Sequence, residues 1–336
     1  MMKRILLTLT LLLALTACHR IPMHEAASGV YLKLTLKLDP DVAPGEYVDL
    51  EHHPEFQTKV NPKRPEMVRA LFYNVDSHEL VSEDFLPVEG GFVDIAPGVY
   101  DVLVYSLGTE VTQVEGAQMR ASGDAFTSRT GTRLRLSPSK ATGDEELSAS
   151  DVPVIYEPDH LFAGKIAGAV VPVRPEDLES DMVVLETELK RVSETWSLEF
   201  IDIEGAERIT GVEVYLTGQA DGRYLWDGRT QNHQAALSLN CAVDVPHHEI
   251  YSVLNTFGKY PEADCDVLVN VMLSIAGGER VRYIFNVTDQ WLNPDNTAHR
   301  IVITDPVDVP TADYSGGGFD PVVNEWDGEE IDVIIG

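Results

Sequence analysis

The sequence predicts an all-β chain built as two tandem β-sandwiches. Apolar and polar residues alternate with a period of two through most of its length, and the alternating runs are short and bounded by Gly and Pro. A polar stretch, Ser137 to Ser150, with Pro138, Gly143 and the pair Glu145-Glu146, divides the pattern into halves. In the first half Val30, Leu32, Leu34, Leu36 and Leu38 alternate with Tyr31, Lys33, Thr35 and Lys37, giving one buried and one wet face. Glu66 to Val75 and Glu79 to Leu86 read as the next strands, joined by a turn at Asp76-Ser77-His78. A Gly90-Gly91 turn precedes Phe92 to Ile95, and a Pro97-Gly98 turn leads into Val99 to Leu107.

The second half repeats the pattern. Val152 to Val173, Trp196 to Phe200, Gly211 to Leu216, Ala235 to Val245, Asp266 to Ile275, Val281 to Val287 and Ile301 to Ile303 are strand-like. One segment carries two signals. Leu178, Met182, Leu185, Leu189, Val192 and Trp196 follow helical spacing, yet Met182-Val183-Val184-Leu185 is β-prone and its setting favours a strand. After the hinge Ser315-Gly316-Gly317-Gly318 come Phe319 to Trp326, an Asp327-Gly328 turn and Glu329 to Ile335, a hairpin signal. Ile331, Val333 and Ile335 share one face. They suit a hairpin that completes the second sandwich, or a movable donor strand added to another subunit's sheet.

A chain of 336 residues has room for about two domains and can bury cores without help from disulfides or metals. A formal charge of −30 repels phosphate backbones, so no nucleic-acid partner is expected. The N-terminus reads as an export signal: Lys3 and Arg4, then an apolar stretch from Ile5 to Leu15 that is short against the ~20 residues of a membrane span. It ends in Leu15-Thr16-Ala17-Cys18, which resembles the bacterial lipobox. Residues 1–17 are thus expected to be removed, Cys18 to be lipidated, and the outer membrane to be a partner through that lipid. His19 is not the Asp that retains some lipoproteins at the inner membrane. The expected organisation is signal peptide 1–17, tether 18–28, sandwiches 29–150 and 151–312, and a Gly-hinged tail 313–336.

With Cys18 lipidated, Cys241 and Cys265 remain, an even number in an oxidising compartment. A disulfide between them would close a loop worth roughly 3 kcal/mol on the chain-entropy scale; the alternative is two buried thiols in separate strands. No zinc spacing surrounds them. His52-His53 and His247-His248 are adjacent pairs, whose rings would point to opposite faces of a strand, so no metal is expected. Catalytic fingerprints such as GxSxG, HExxH or a P-loop are absent, and neither an enzyme nor a cofactor is expected. Trp196, Trp226, Trp291 and Trp326 suggest an alternative function, a surface glycan-binding lipoprotein of a nutrient-uptake system. Trp226, beside Asp227-Gly228, is the most exposed candidate and Trp196 is expected in the core.

Pro97-Gly98-Val99-Tyr100-Asp101-Val102-Leu103-Val104-Tyr105 resembles a strand of Bacteroidales fimbria-associated lipoproteins. Thr256-Phe257-Gly258, Phe285 to Gln290 and Gly318 to Trp326 resemble further segments of the same proteins. The chain is similar to the fimbrillin and Mfa-type anchor superfamily, in a branch known as a domain of unknown function. That resemblance implies two transthyretin-like Greek-key β-sandwich domains, a place at the cell surface on the outer membrane, and fimbrial subunits as partners. The run His19 to Glu25 lacks the acidic cluster associated with surface export in Bacteroidetes lipoproteins. Polymerising members need a trypsin-like cut site after the first strand. Arg64 and Arg69 are the candidates here and neither is diagnostic, so an anchor or minor subunit is expected rather than a main shaft subunit.

Overall fold

A computed structural model describes residues 29–37, 50–135, 151–173, 183–262 and 264–311, and the backbone of 330–335. Cys18, the 137–150 stretch and the Phe319 to Trp326 run lie outside the described residues. The fold is all-β, and no helix among the described residues is long and apolar enough to cross a membrane.

The first sandwich is one seven-stranded sheet folded over on itself. Its order is Leu80–Pro87, Met67–Asn74, Gly98–Ser106, Phe162–Val171, Val184–Arg191, Gly29–Leu36, Gly90–Asp94. Leu80–Pro87 and Gly90–Asp94 sit at opposite ends of that order, although only Val88 and Glu89 separate them. The fold-over comes where Val184–Arg191 pairs with Phe162–Val171 only at Phe162 and Ala163, while it runs in parallel with Gly29–Leu36 from Tyr31 to Leu36. Between the layers lie Val30, Leu32, Val93 and Leu189 from one side and Val68, Phe72, Val102, Val104 and Phe162 from the other.

In the second sandwich a four-stranded sheet faces a seven-stranded one. The smaller has the order Ala242–Asp244, Glu249–Thr256, Glu194–Phe200, Arg300–Ile303. The larger runs Glu330–Ile335, Arg280–Asn286, Leu268–Ile275, Ile209–Ala220, Gln234–Leu239, Asp151–Ile155, Arg129–Arg135. Leu198, Phe200, Ile250 and Leu254 meet Leu216, Leu237, Val269, Val271 and Phe285 in its core. A three-stranded sheet of Gly222–Tyr224, Asp124–Thr127 and Thr112–Glu115 lies between the sandwiches.

The sheets do not divide the chain at residue 150. Phe162–Val171 and Val184–Arg191 complete the first sandwich, whereas Arg129–Arg135 joins the second. The described part of 178–196 is strand: Val184–Arg191, a bend at Val192-Ser193, then Glu194–Phe200. Its helical spacing has a different origin. Leu189 is buried in the first sandwich, Val192 between the sandwiches and Trp196 in the second, so three separate cores draw on one run of chain.

Candidate functional site

The features that bear on function are the tail strand, the cysteines, the aromatic residues and the polar seams that join the sandwiches. Glu330–Ile335 lies parallel to Arg280–Asn286 at the edge of the larger sheet, with Ile331 opposite Val281, Val333 opposite Tyr283 and Ile335 opposite Phe285. Val281, Tyr283 and Phe285 on that neighbouring strand point into the core. The strand that the sequence marked thus lies at a sheet edge, where backbone pairing holds it on one side.

The expected bond between Cys241 and Cys265 is not made; both thiols are free. Gln234 Nε2 donates to Cys265 Sγ at 3.1 Å, which places Cys265 at the start of the strand Gln234–Leu239, and Cys241 follows its far end. That strand spans roughly 17 Å, against the 4.4–6.8 Å between Cα atoms that a disulfide needs. Burial pushes the Cys241 thiol up to about 12, which keeps it protonated and unreactive.

The motif Pro97-Gly98-Val99-Tyr100-Asp101 has a structural cause. The Tyr100 ring folds back over Gly98, where a Cβ would meet it at 2.9 Å, and its hydroxyl donates to the Ala96 carbonyl at 3.0 Å. The buried Asp101 carboxylate accepts from the Gly168 N–H at 2.9 Å and from the Arg120 guanidinium. Arg120 in turn lies over the Trp226 ring, 4.7 Å from its centroid, with Lys165 at 5.4 Å. Trp226 is therefore half-buried under two cations and offers no open platform for a sugar ring. Trp196 is in the core as expected, stacked between Trp291 at 3.9 Å and His299 at 4.3 Å.

Segment 50–61 crosses the outer face of the four-stranded sheet. Phe56 and Val60 pack on Tyr251 and Val253, and Lys59 reaches inward to Glu157 Oε1 at 2.7 Å and to the Val253 carbonyl at 2.8 Å. Burial raises the Glu157 pKa, against the opposing pull of Lys59 and the Asn255 N–H. Beside it His160 Nε2 donates to the Lys59 carbonyl at 2.8 Å, and its buried Nδ1 has no hydrogen-bond partner. Burial, reinforced by the Arg191 charge, lowers the His160 pKa to about 4, so the ring is neutral at physiological pH.

The same segment brings together histidines that the sequence kept apart. His52 meets His247 edge-on at 5.7 Å, His53 stacks on Tyr251 at 4.8 Å, and His247 Nδ1 lies 2.8 Å from Asp244 Oδ2. Among the described residues no three His, Cys, Asp or Glu side chains are arranged to hold a metal ion. A cavity of about 330 Å³ between the small sheet and the second sandwich is lined by Glu115, Asp124, Phe126, Arg129, Asp221 and Gln231. Burial raises the pKa of Asp124 and of Asp221, and Gln231 and His233 are their neighbouring partners. Of the two arginines marked as cut sites, Arg69 lies within a strand, bonded to Glu83 and to the Tyr105 hydroxyl, and Arg64 pairs with Glu89 at the surface.

Comparison with known proteins adds context. A family described as a domain of unknown function (DUF5119) matches residues 56–240, more than half of the chain. A Bacteroides ovatus protein provisionally named fimbrium anchoring subunit Fim4B is 26% identical over 170 residues, 51% of this chain and 45% of its own length. The match thus spans less than half of that relative. A crystal structure of a Bacteroides ovatus protein, provisionally described as an adhesin, covers 83% of this chain and 93% of its own, with 18% identity and a TM-score of 0.56. It shares the fold. The fimbrial anchor protein Mfa2 from Porphyromonas gingivalis covers 82% of this chain and 90% of its own at 10% identity, with a TM-score of 0.47, a likeness too loose to bear on function.

Proposed function

This chain belongs to the family described as a domain of unknown function (DUF5119), and from that premise we propose that it is an outer-membrane lipoprotein serving as anchor or minor subunit of a fimbria-like filament. It performs no reaction; it holds. The match to the protein provisionally named as a fimbrium anchoring subunit carries the reading. The lipobox-like Leu15-Thr16-Ala17-Cys18 supplies its membrane end, because a buried acyl chain contributes about 0.8 kcal/mol per methylene and a triacylated cysteine holds firmly. Two transthyretin-like sandwich domains, whose strands interleave along the chain, supply the body in this reading.

The filament end of the proposal is β-strand complementation. A strand that lies at a sheet edge and follows a glycine-rich stretch can exchange its partner without breaking the core sheets. Ile331, Val333 and Ile335 are the donor side chains in this reading. Two experiments test it. Cys18→Ala should move the protein from the membrane to the soluble fraction, and unchanged fractionation sinks the lipid anchor. Deleting Glu329 to Gly336 should abolish assembly with fimbrial partners while leaving the protein folded; retained assembly reduces the tail to a local edge strand.

A further inference from the structure

We propose that Gln290 and Asn296 plug the sheet edge at Arg300–Ile303, and that this plug keeps a second copy of the chain from adding a strand there. Arg300–Ile303 closes one side of the four-stranded sheet, running parallel to Glu194–Phe200. The Ser197 N–H donates to the His299 carbonyl at 2.9 Å, and the Ile201 N–H to the Ile303 carbonyl at 3.2 Å. Backbone groups alternate sides along a strand, so those of Arg300 and Val302 face away from the sheet. A bare row of such groups is a template for a strand of another molecule. The same edge of a second copy, run antiparallel, would offer the matching row.

Two side-chain amides fill the row instead. The Val302 N–H donates to Gln290 Oε1 at 2.9 Å, and Gln290 Nε2 donates back to the Val302 carbonyl at 2.9 Å. Asn296 repeats the arrangement two residues along. The Arg300 N–H donates to its Oδ1 at 3.1 Å, and its Nδ2 donates to the Arg300 carbonyl at 2.8 Å. A side-chain amide offers an acceptor and a donor as a strand residue does, so each one imitates a residue of a neighbouring strand. The backbone behind them is the short helix Thr288–Leu292 and a turned loop, which continue no ladder.

Both amides are fixed from behind. Asn296 Nδ2 also donates to the Gln290 carbonyl at 3.0 Å, tying the pair together. Trp291, next to Gln290, and His299, next to Arg300, both stack on the buried Trp196. The plug is thus anchored in the packed sandwich.

The test uses the chain from residue 18 onward, with Cys18→Ser so that acylation plays no part, followed by sedimentation velocity and amide exchange. Gln290→Ala with Asn296→Ala should speed exchange at Arg300 and Val302 several-fold in dilute protein. As concentration rises this variant should self-associate beyond the wild type, and exchange at the same two residues should slow again. A folded double variant that sediments as the wild type does overturns the proposal. So does association that leaves Arg300 and Val302 in fast exchange, which assigns the contact to another surface. Gln290→Met keeps the side chain's length and loses only its amide, and it decides the matter if the double variant unfolds. It should open Val302 alone and associate more weakly than the pair; association no stronger than the wild type's is again fatal.

Discussion

The two sandwiches each bury a pair of central strands on both faces, but what covers them differs. Over the first, Leu71, Tyr73, Leu103 and Tyr105 on the outer face are covered by Ala117, Ala125, Leu161, Leu225 and Phe257, an apolar seam. Over the second, Tyr251 and Val253 are covered by Phe56 and Val60, with a polar contact beside them in which Lys59 meets Glu157 and the Val253 carbonyl. The Asn255–Thr195 bond at 2.8 Å and the Arg300–Glu199 pair tie neighbouring strands within the sheet itself. An apolar seam tolerates imperfect fit, because dispersion and burial are non-directional. A polar seam does not, since each buried donor or acceptor left alone costs about 1–3 kcal/mol. The first seam supplies apolar adhesion and the second fixes where segment 50–61 seats on its sheet.

The largest expected effect comes from breaking the polar seam on one side only. Lys59→Met should destabilise by about 3–5 kcal/mol, because it strands a nearly buried Glu157 carboxylate. Adding Glu157→Leu should restore most of that loss, a recovery measurable by denaturant unfolding. In the apolar seam, Leu103→Ala should cost about 2–4 kcal/mol through lost contacts and a residual cavity, with no rescuing partner. The contrast sharpens if Lys59→Met shows strong coupling to Glu157 while Leu103→Ala adds independently to Phe257→Leu; equal coupling in both seams would erase it.

A smaller effect depends on pH. The His160 pKa falls from its unfolded 6.5 to about 4 on folding. Between those values the unfolded state binds the extra proton, so stability falls as pH drops from 6.5 toward 4 and levels off below. The loss from this residue is bounded at roughly 3 kcal/mol. His160→Gln, which can still donate to the Lys59 carbonyl, should flatten the slope of unfolding free energy across that window. An unchanged slope would remove His160 from the polar seam's pH response.

Much of the strand content was legible because a half-buried strand writes its two faces into alternate residues. Gly29–Leu36 and Leu80–Pro87 lie close to where the alternation put them. Glu249–Thr256 was not legible. It is buried on both faces, and Ile250-Tyr251-Ser252-Val253-Leu254 has no wet side to alternate with. The division near residue 150 misled for a different reason: a polar stretch marks a long connection, and strand pairing decides which sheet the chain then joins. The disulfide misled because an even cysteine count carries no information about distance. Trp226 looked exposed beside Asp227-Gly228, and the packing of Arg120 and Lys165, both remote in sequence, covers it. The meeting of His52 with His247 has no local signal at all.

Among the described residues Gly29–Leu36 finds its parallel neighbour in Val184–Arg191, more than a hundred residues later. Such a contact order makes closure of the first sandwich late and slow, since a long loop must be closed before the pairing gives anything back. On the proposed export route, in which the chain would cross the inner membrane as an extended polypeptide, this delay would be useful. The N-terminal segment cannot complete its own layer before the far strand has been made, which would keep a chain on that route threadable.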